Sequence, residues 1–122
     1  MTKKILVVDD EADIIKIVTV RLKAAKFDVI SATDGKAGLE MAKKEKPDLI
    51  ILDLMLPKMD GYMVCGLLKH DFNFKNIPII LFTARDQAVD KQKGMEVLAD
   101  AYITKPFEPE TLISKVNELL TA

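Results

Sequence analysis

The chain has 122 residues, enough to bury one core and too few for two domains of ordinary size. Its 18 basic and 19 acidic residues leave a formal charge of −1, so no field of one sign points to nucleic acid or a membrane surface. No apolar stretch approaches the ~20 residues of a membrane span, and the single cysteine, Cys65, excludes an internal disulfide and a cysteine zinc cluster.

Lys4 leads into Ile5-Leu6-Val7-Val8, a buried-strand run that Asp9-Asp10-Glu11 closes at once; such a start is not read as a signal peptide, and a cytoplasmic address is expected. Ile15, Val18, Leu22 and Ala25 then fall on one face of a helix, whose acidic start suits the positive end of the helix dipole. Val29 to Ala32 reads as a second strand. Asp34-Gly35 turns the chain, with Asp34 capping a helix to about Lys44, and Pro47 separates that helix from the next strand. Leu49-Ile50-Ile51-Leu52-Asp53 is the central strand, apolar until it delivers one carboxylate to its end. Leu56-Pro57-Lys58-Met59-Asp60-Gly61 is a loop and Tyr62 to His70 a helix. Ile77 to Thr83 is a fourth strand. A weakly amphipathic helix is expected around 88–95, and Ala101 to Thr104 is a fifth strand. Leu112, Ile113, Val116, Leu119 and Leu120 mark a last helix with Pro109 in its first turn. Five strands alternating with five helices predict one α/β layered domain with a parallel sheet and right-handed crossovers.

In a parallel sheet, Asp9, Asp10, Asp53, Thr83 and Lys105 all come to the carboxyl edge, where open α/β sheets bind ligands. Singly each has an ordinary reading: a strand-end Asp is a turn former, Thr83 a β-branched strand residue and Lys105 a solvated lysine. Their coincidence at one edge favours a site. Crowded carboxylates repel one another and raise some pKa values, and a divalent cation removes that cost. Oxygen ligands without His or Cys suit Mg²⁺ rather than zinc. Carboxylates also act as nucleophiles that form aspartyl phosphates, and a metal on one side with an ammonium on the other would stabilise phosphoryl transfer. Lys105 is expected ~10 Å from Asp53 across an intervening strand, a gap its stem and a phosphoryl group would fill together.

Asp9-Asp10, Leu52 to Gly61, Thr83-Ala84 and Lys105-Pro106-Phe107 together resemble the CheY-like receiver domain of two-component response regulators, over the whole chain and in the family's order. The resemblance implies a flavodoxin-like (βα)5 three-layer sandwich with strand order 2-1-3-4-5. It implies a single receiver domain over residues 1–122 with no output domain in this chain, acting as a switch rather than as an enzyme, with intrinsic autophosphorylation and slow autodephosphorylation. Asp53 would accept a phosphoryl group from a sensor histidine kinase or a histidine phosphotransfer protein. Asp9, Asp10, Asp53 and the Met55 backbone carbonyl would hold Mg²⁺, with Mn²⁺ a substitute. Lys105 would pair with the phosphoryl group, Thr83 would bond it, Tyr102 would turn inward, and the Lys105–Pro106 bond would be cis. Ala84 would leave the group open to water, while Met55 and Arg85, neither suited to orienting water, would lengthen its lifetime. The surface of the fourth helix, fifth strand and fifth helix would change and control a partner or an output domain. Neither direct nucleic-acid binding nor membrane association is implied, and the state would be a monomer or a weak phosphorylation-dependent dimer.

Some residues depart from the pattern. Ala101 and Glu110 stand where an acid and a base are common, which weakens pairing through that surface. Lys26 and Leu98 stand where glycine usually ends the first and fourth helices. Either those helices end differently, or a left-handed residue carries roughly 1–2 kcal/mol of strain; a loosely held fourth helix is expected. A haloacid-dehalogenase-type phosphatase would need an acid at position 55, a flavodoxin would need a Ser/Thr/Gly phosphate loop after the first strand, and a degenerate binding module would lack one of the five edge residues. His70 is read as a solvated helix-end residue, Cys65 as core filler, and Phe72 and Phe74 as either packed under the following loop, the favoured reading, or forming a partner patch.

Overall fold

Five parallel strands form one sheet: β1 (Lys4–Val8), β2 (Asp28–Ala32), β3 (Leu49–Asp53), β4 (Ile79–Ala84) and β5 (Ala101–Lys105), in the order β2-β1-β3-β4-β5. This is a computed structural model that describes residues 2–84 and 98–121. Among the described residues there are four helices: α1 (Ala12–Ala24), α2 (Gly35–Glu45), α3 (Gly61–Lys69) and a C-terminal helix (Pro109–Thr121). The helix expected around 88–95 lies outside them, as does its predicted looseness.

The central strands β1, β3 and β4 are apolar on both faces because both are covered, whereas the edge strands β2 and β5 are partly exposed. Leu6, Val8, Ile50, Leu52, Ile79 and Leu81 pack with Ala42 of α2 and with Val64, Cys65 and Leu68 of α3. Their alternates, Ile5, Val7, Leu49, Ile51, Ile80 and Phe82, pack with Val18 and Leu22 of α1 and with Leu112 and Val116 of the C-terminal helix. The period-two strand pattern thus feeds two cores, one on each side of the sheet. The sheet with its two helix layers is the three-layer arrangement and strand order that the resemblance implies.

The fourth strand begins at Ile79 rather than Ile77. Pro78 has no N–H to donate to a ladder. The Ile77 carbonyl is already taken by Lys69 Nζ at 2.7 Å, and the Ile77 N–H donates to Phe74 O at 3.1 Å. Lys69 carries no signal of its own in the sequence, yet only 6% of its side chain is exposed. Its ammonium also meets Asp100 Oδ2 at 2.7 Å and Lys75 O at 3.2 Å. Asp100 in turn accepts the Ile79 N–H at 2.7 Å. One ion pair therefore ties the end of α3 to the start of β4 and the approach to β5. The two phenylalanines of the segment after α3 separate: Phe74 is buried in the core, whereas Phe72 is 81% exposed with Lys75 Nζ 4.9 Å above its ring. A turn that bonds Phe74 N–H to Asp71 O at 3.0 Å aims only the second ring inward. His70 is exposed at the end of α3, and Cys65 is fully buried.

Helix ends explain the missing glycines. After α1, Phe27 N–H donates to Leu22 O and Lys26 N–H to Lys23 O, both at 3.0 Å, the paired bonds of a Schellman cap. Such a cap places its central residue in the left-handed region, and Lys26 has φ 75°. Leu98 has φ 61°. Of the two alternatives, the strained left-handed cap is the one observed for Lys26, whereas the helix expected before Leu98 lies outside the described residues. Two further left-handed residues, Lys46 at the end of α2 and Lys58 in the loop after β3, carry no signal in the sequence.

Candidate functional site at the carboxyl edge

Register assembles the site. Val8 is level with Leu52 across β1 and β3, so the next residues, Asp9 and Asp53, leave the sheet side by side. Asp53 is level with Phe82, and Ala84 with Lys105. Asp9 is held by its own N–H, which donates to Ala32 O at 3.1 Å and carries the β1–β2 ladder one step beyond the strand. Both carboxylates are buried: Asp9 is 0% and Asp53 6% exposed.

The loop after β3 is packed tightly beneath them. Pro57 O accepts N–H groups from Gly35 at 3.2 Å and from Met59 at 2.8 Å, the second closing a three-residue turn around left-handed Lys58. Lys58 Nζ lies 3.8 Å from Asp34, the residue that caps α2 by accepting the Ala37 N–H at 2.7 Å. Asp60 caps α3 by accepting the Met63 N–H at 2.9 Å. Gly61 follows because its backbone runs directly against the Asp53 carbonyl; any Cβ there would collide with that oxygen and with Leu54 Cα. Gly35 is required in the same way by the Met59 carbonyl.

Lys105 reaches further than the strand spacing suggests. Its Nζ is 2.7 Å from Asp9 Oδ2 and 3.2 Å from Asp53 Oδ2, so it crosses the intervening strand and meets both carboxylates with no phosphoryl group between. The Phe82 ring supports the stem, with Nζ 5.6 Å from its centroid, and Phe107 stacks on Phe82 at 4.9 Å. The remaining oxygens are also engaged: Asp9 Oδ1 accepts the Glu11 N–H at 2.9 Å, and Asp53 Oδ1 accepts the Met55 N–H at 3.2 Å.

This crowding sets the electrostatics. Burial pushes the Asp53 carboxyl above its ordinary value, the charge of Asp9 adds to the rise, and Lys105 and the Met55 N–H offset only part of it. Burial lowers Lys105. The hydrogen bond to Asp9, the charges of Asp53 and Asp9 and the bond to Asp53 outweigh it, and the ammonium ends above its ordinary value. Desolvation therefore exceeds the carboxylate repulsion named from sequence, because the strand ends are sunk into the sheet edge.

Asp10 is exposed beside this pair, and Thr83 is buried at the end of β4. Tyr102 stands 38% exposed on β5, the Met55 side chain is exposed, and the Lys105–Pro106 peptide is cis. Arg85 and the side chain of Ala84 lie outside the described residues. Sequence reasoning missed one participant. Oxygens of Asp9, Asp10, Glu11 and Asp53 all lie within 4.8 Å of one another, so Glu11 belongs to the acidic group. In sequence it reads as a strand terminator and dipole partner; its adjacency to Asp9-Asp10 was the available signal. Among the described residues four carboxylates share the site with one ammonium, and the donor set is oxygen alone. That set fits a hard divalent cation such as Mg²⁺ or Mn²⁺, which would cancel the excess negative charge.

A family model described as the response regulator receiver domain matches residues 5–117. The alkaline phosphatase synthesis transcriptional regulatory protein PhoP of Bacillus subtilis (strain 168) is 47% identical over 120 residues, covering 98% of this chain and 49% of that protein. The DNA-binding dual master transcriptional regulator RpaA of Synechocystis is 44% identical over 117 residues, covering 96% of this chain and 48% of that one. This chain thus spans about half the length of both relatives. The chemotaxis response regulator CheY4 of Vibrio cholerae superposes with a TM-score of 0.91 at 33% identity, covering 98% of this chain and 100% of that one. With the edge constellation and the sheet order in place, the chain belongs to the response regulator receiver domain family of two-component signalling.

Proposed function

We propose that Asp53 is the phosphoacceptor of this receiver and that residues 1–122 act as one switch unit. The observation that carries the reading is the buried Asp9–Lys105–Asp53 contact, an ammonium held between a strand-end nucleophile and a cation-binding acid. An Asp53 carboxylate oxygen attacks the phosphorus of a phosphohistidine on a sensor kinase or phosphotransfer protein. The P–O bond forms as the P–N bond breaks and the imidazole leaves. Asp9, Asp10, Asp53 and the Met55 carbonyl would hold Mg²⁺, which when bound neutralises charge on the transferred group. Lys105 then pairs with phosphoryl oxygens instead of Asp53, and the Thr83 hydroxyl donates to them. The domain promotes its own phosphorylation from small phosphodonors and its slow hydrolysis, water returning Asp53 and phosphate.

The response is a population shift. A phosphoryl group on Asp53 draws Thr83 toward it, and Tyr102 exchanges its exposed position for an inward one. The surface beyond β4 and around β5 and the C-terminal helix then presents a different face to an output domain, a separate protein or a second copy. The near-zero net charge gives these residues no basis for binding nucleic acid themselves. No described helix is long and apolar enough to cross a membrane, and a cytoplasmic setting suits a partner of a sensor kinase.

Beryllofluoride, a phosphoryl mimic, tests the switch. In Mg²⁺ it is expected to shift amide NMR signals of Thr83, Tyr102 and Lys105 in the wild type and not in Asp53→Asn. Shifts confined to the loop after β3 would refute it. Met55 and Arg85 leave attacking water unoriented, so the phosphorylated state is expected to outlast that of a Met55→Asn, Arg85→Glu variant. Faster loss from the wild type contradicts this.

A further inference from the structure

Glu11 sits at the N-cap of α1, a position where Ser, Thr, Asp and Asn bond the first turn, yet its side chain caps nothing. Its carboxylate turns instead toward the site, where Oε1 lies 3.6 Å from Lys105 Nζ, an ion-pair distance too long for a hydrogen bond. Lys105 already spans Asp9 Oδ2 and Asp53 Oδ2 at 2.7 and 3.2 Å. A cation drawing on those same oxygens competes with the ammonium for them. Asp9 Oδ1 is already partly engaged, since it accepts the Glu11 N–H. Among the described residues, Asp9, Asp53 and Glu11 are the only carboxylates within ion-pair reach of Lys105. Of the three, Asp9 and Asp53 are buried and fixed, whereas the Glu11 side chain is 61% exposed and free to follow.

We infer that Glu11 is a positioning residue that receives the Lys105 ammonium when a divalent cation takes Asp9 and Asp53. Lys105 is then an internal competitor of the cation, and Glu11 sets the strength of that competition. This rests on the cation-binding reading above. Loss of Glu11 leaves Lys105, among the described residues, only the two acids the cation needs, so cation binding weakens through Lys105. A direct ligand or a simple field effect of Glu11 would instead act on the cation whether or not Lys105 is present.

A double-mutant cycle on the whole chain separates these, with Mn²⁺ as the probe and free Mn²⁺ read by electron paramagnetic resonance. Lys105→Met is expected to tighten Mn²⁺ binding. Glu11→Gln is expected to weaken it roughly tenfold with Lys105 present and no more than about threefold in the Lys105→Met background. Metal-free circular dichroism melts establish that each variant folds, and Lys105→Gln repeats the cycle should the methionine variant fail to fold. An equal factor in both backgrounds overturns the inference and leaves cation binding intact. Absence of any Mn²⁺ binding by the wild type overturns the cation reading itself, and this inference with it.

Discussion

Replacing Lys26 by glycine should stabilise the protein, although it removes a charged side chain and adds nothing. Lys26 occupies the central position of the Schellman cap after α1, at φ 75°. A left-handed backbone brings Cβ against the following carbonyl and costs a non-glycine residue about 1–2 kcal/mol. Glycine escapes that cost but loses about 0.5–1 kcal/mol more entropy on folding. The net gain is about 0.5–1 kcal/mol. A chain of 122 residues unfolds with an entropy of about 0.26 kcal/mol/K, so Tm should rise by about 2–4 °C. The lysine side chain is exposed, and among the described residues it forms no ion pair whose loss would confuse the result. Its weak favourable interaction with the helix dipole is lost equally in Lys26→Ala, which keeps Cβ and therefore the strain. Calorimetry in EDTA should rank the glycine variant above both the wild type and the alanine variant. A glycine variant no more stable than the alanine variant would refute the strain argument for this cap.

Other perturbations have equally definite outcomes. Asp53 has its folded pKa raised above the ordinary carboxylate value, chiefly by burial, so protonation favours the fold. That stability is fully present below the unfolded value and is lost as pH rises through the folded one, leaving ionised Asp53 a cost at neutral pH. Asp53→Asn should therefore raise Tm in EDTA at pH 7, with the gain fading as acid brings the wild-type carboxyl to its protonated form; a loss at pH 7 contradicts it. Lys69→Met should cost about 2 kcal/mol by urea denaturation, below the range for fully buried pairs because Asp100 is 33% exposed and can rehydrate; a neutral result would show the pair contributes nothing. Burial pushes the Cys65 thiol up to about 12, so a maleimide at pH 8 should label it only in denaturant, and rapid native labelling would count against its place in the core. Gly61→Ala should destabilise by more than about 2 kcal/mol and lower Mn²⁺ affinity, because Cβ would force the loop away from the Asp53 carbonyl; unchanged binding would show the loop free to give.

The sequence makes legible whatever the sheet enforces. Asp9, Asp53 and Lys105 terminate apolar runs, and a parallel register can bring such residues only to one edge. Lys26 is legible as strain because a helix that ends in a Schellman cap needs a left-handed residue whatever its type. Lys46 and Lys58 are not, since lysine carries no turn signal; Lys58 sits in a turn closed on Pro57 O, which Gly35 also bonds, and Lys46 caps α2 through Ala42 O. Lys69 is hidden for a related reason: a charged residue at a helix end reads as solvated, and its ion-pair partner Asp100 is distant in the chain. The depth of Lys105 is underestimated because strand spacing alone measures backbones. Its side chain lies over Phe82 and crosses the tip of β4. Glu11 escapes notice because its position in sequence is a capping position, and only the folded chain shows that it caps nothing.

The central claim is that Asp53 accepts a phosphoryl group with the help of a cation bound among the neighbouring acids. Intact-mass measurement after incubation with Mg²⁺ and acetyl phosphate addresses it directly. The account predicts one added phosphoryl mass on the wild type, abolished by EDTA and absent from Asp53→Asn. An unmodified wild type with its fold intact, or a modification that persists in Asp53→Asn, would contradict it.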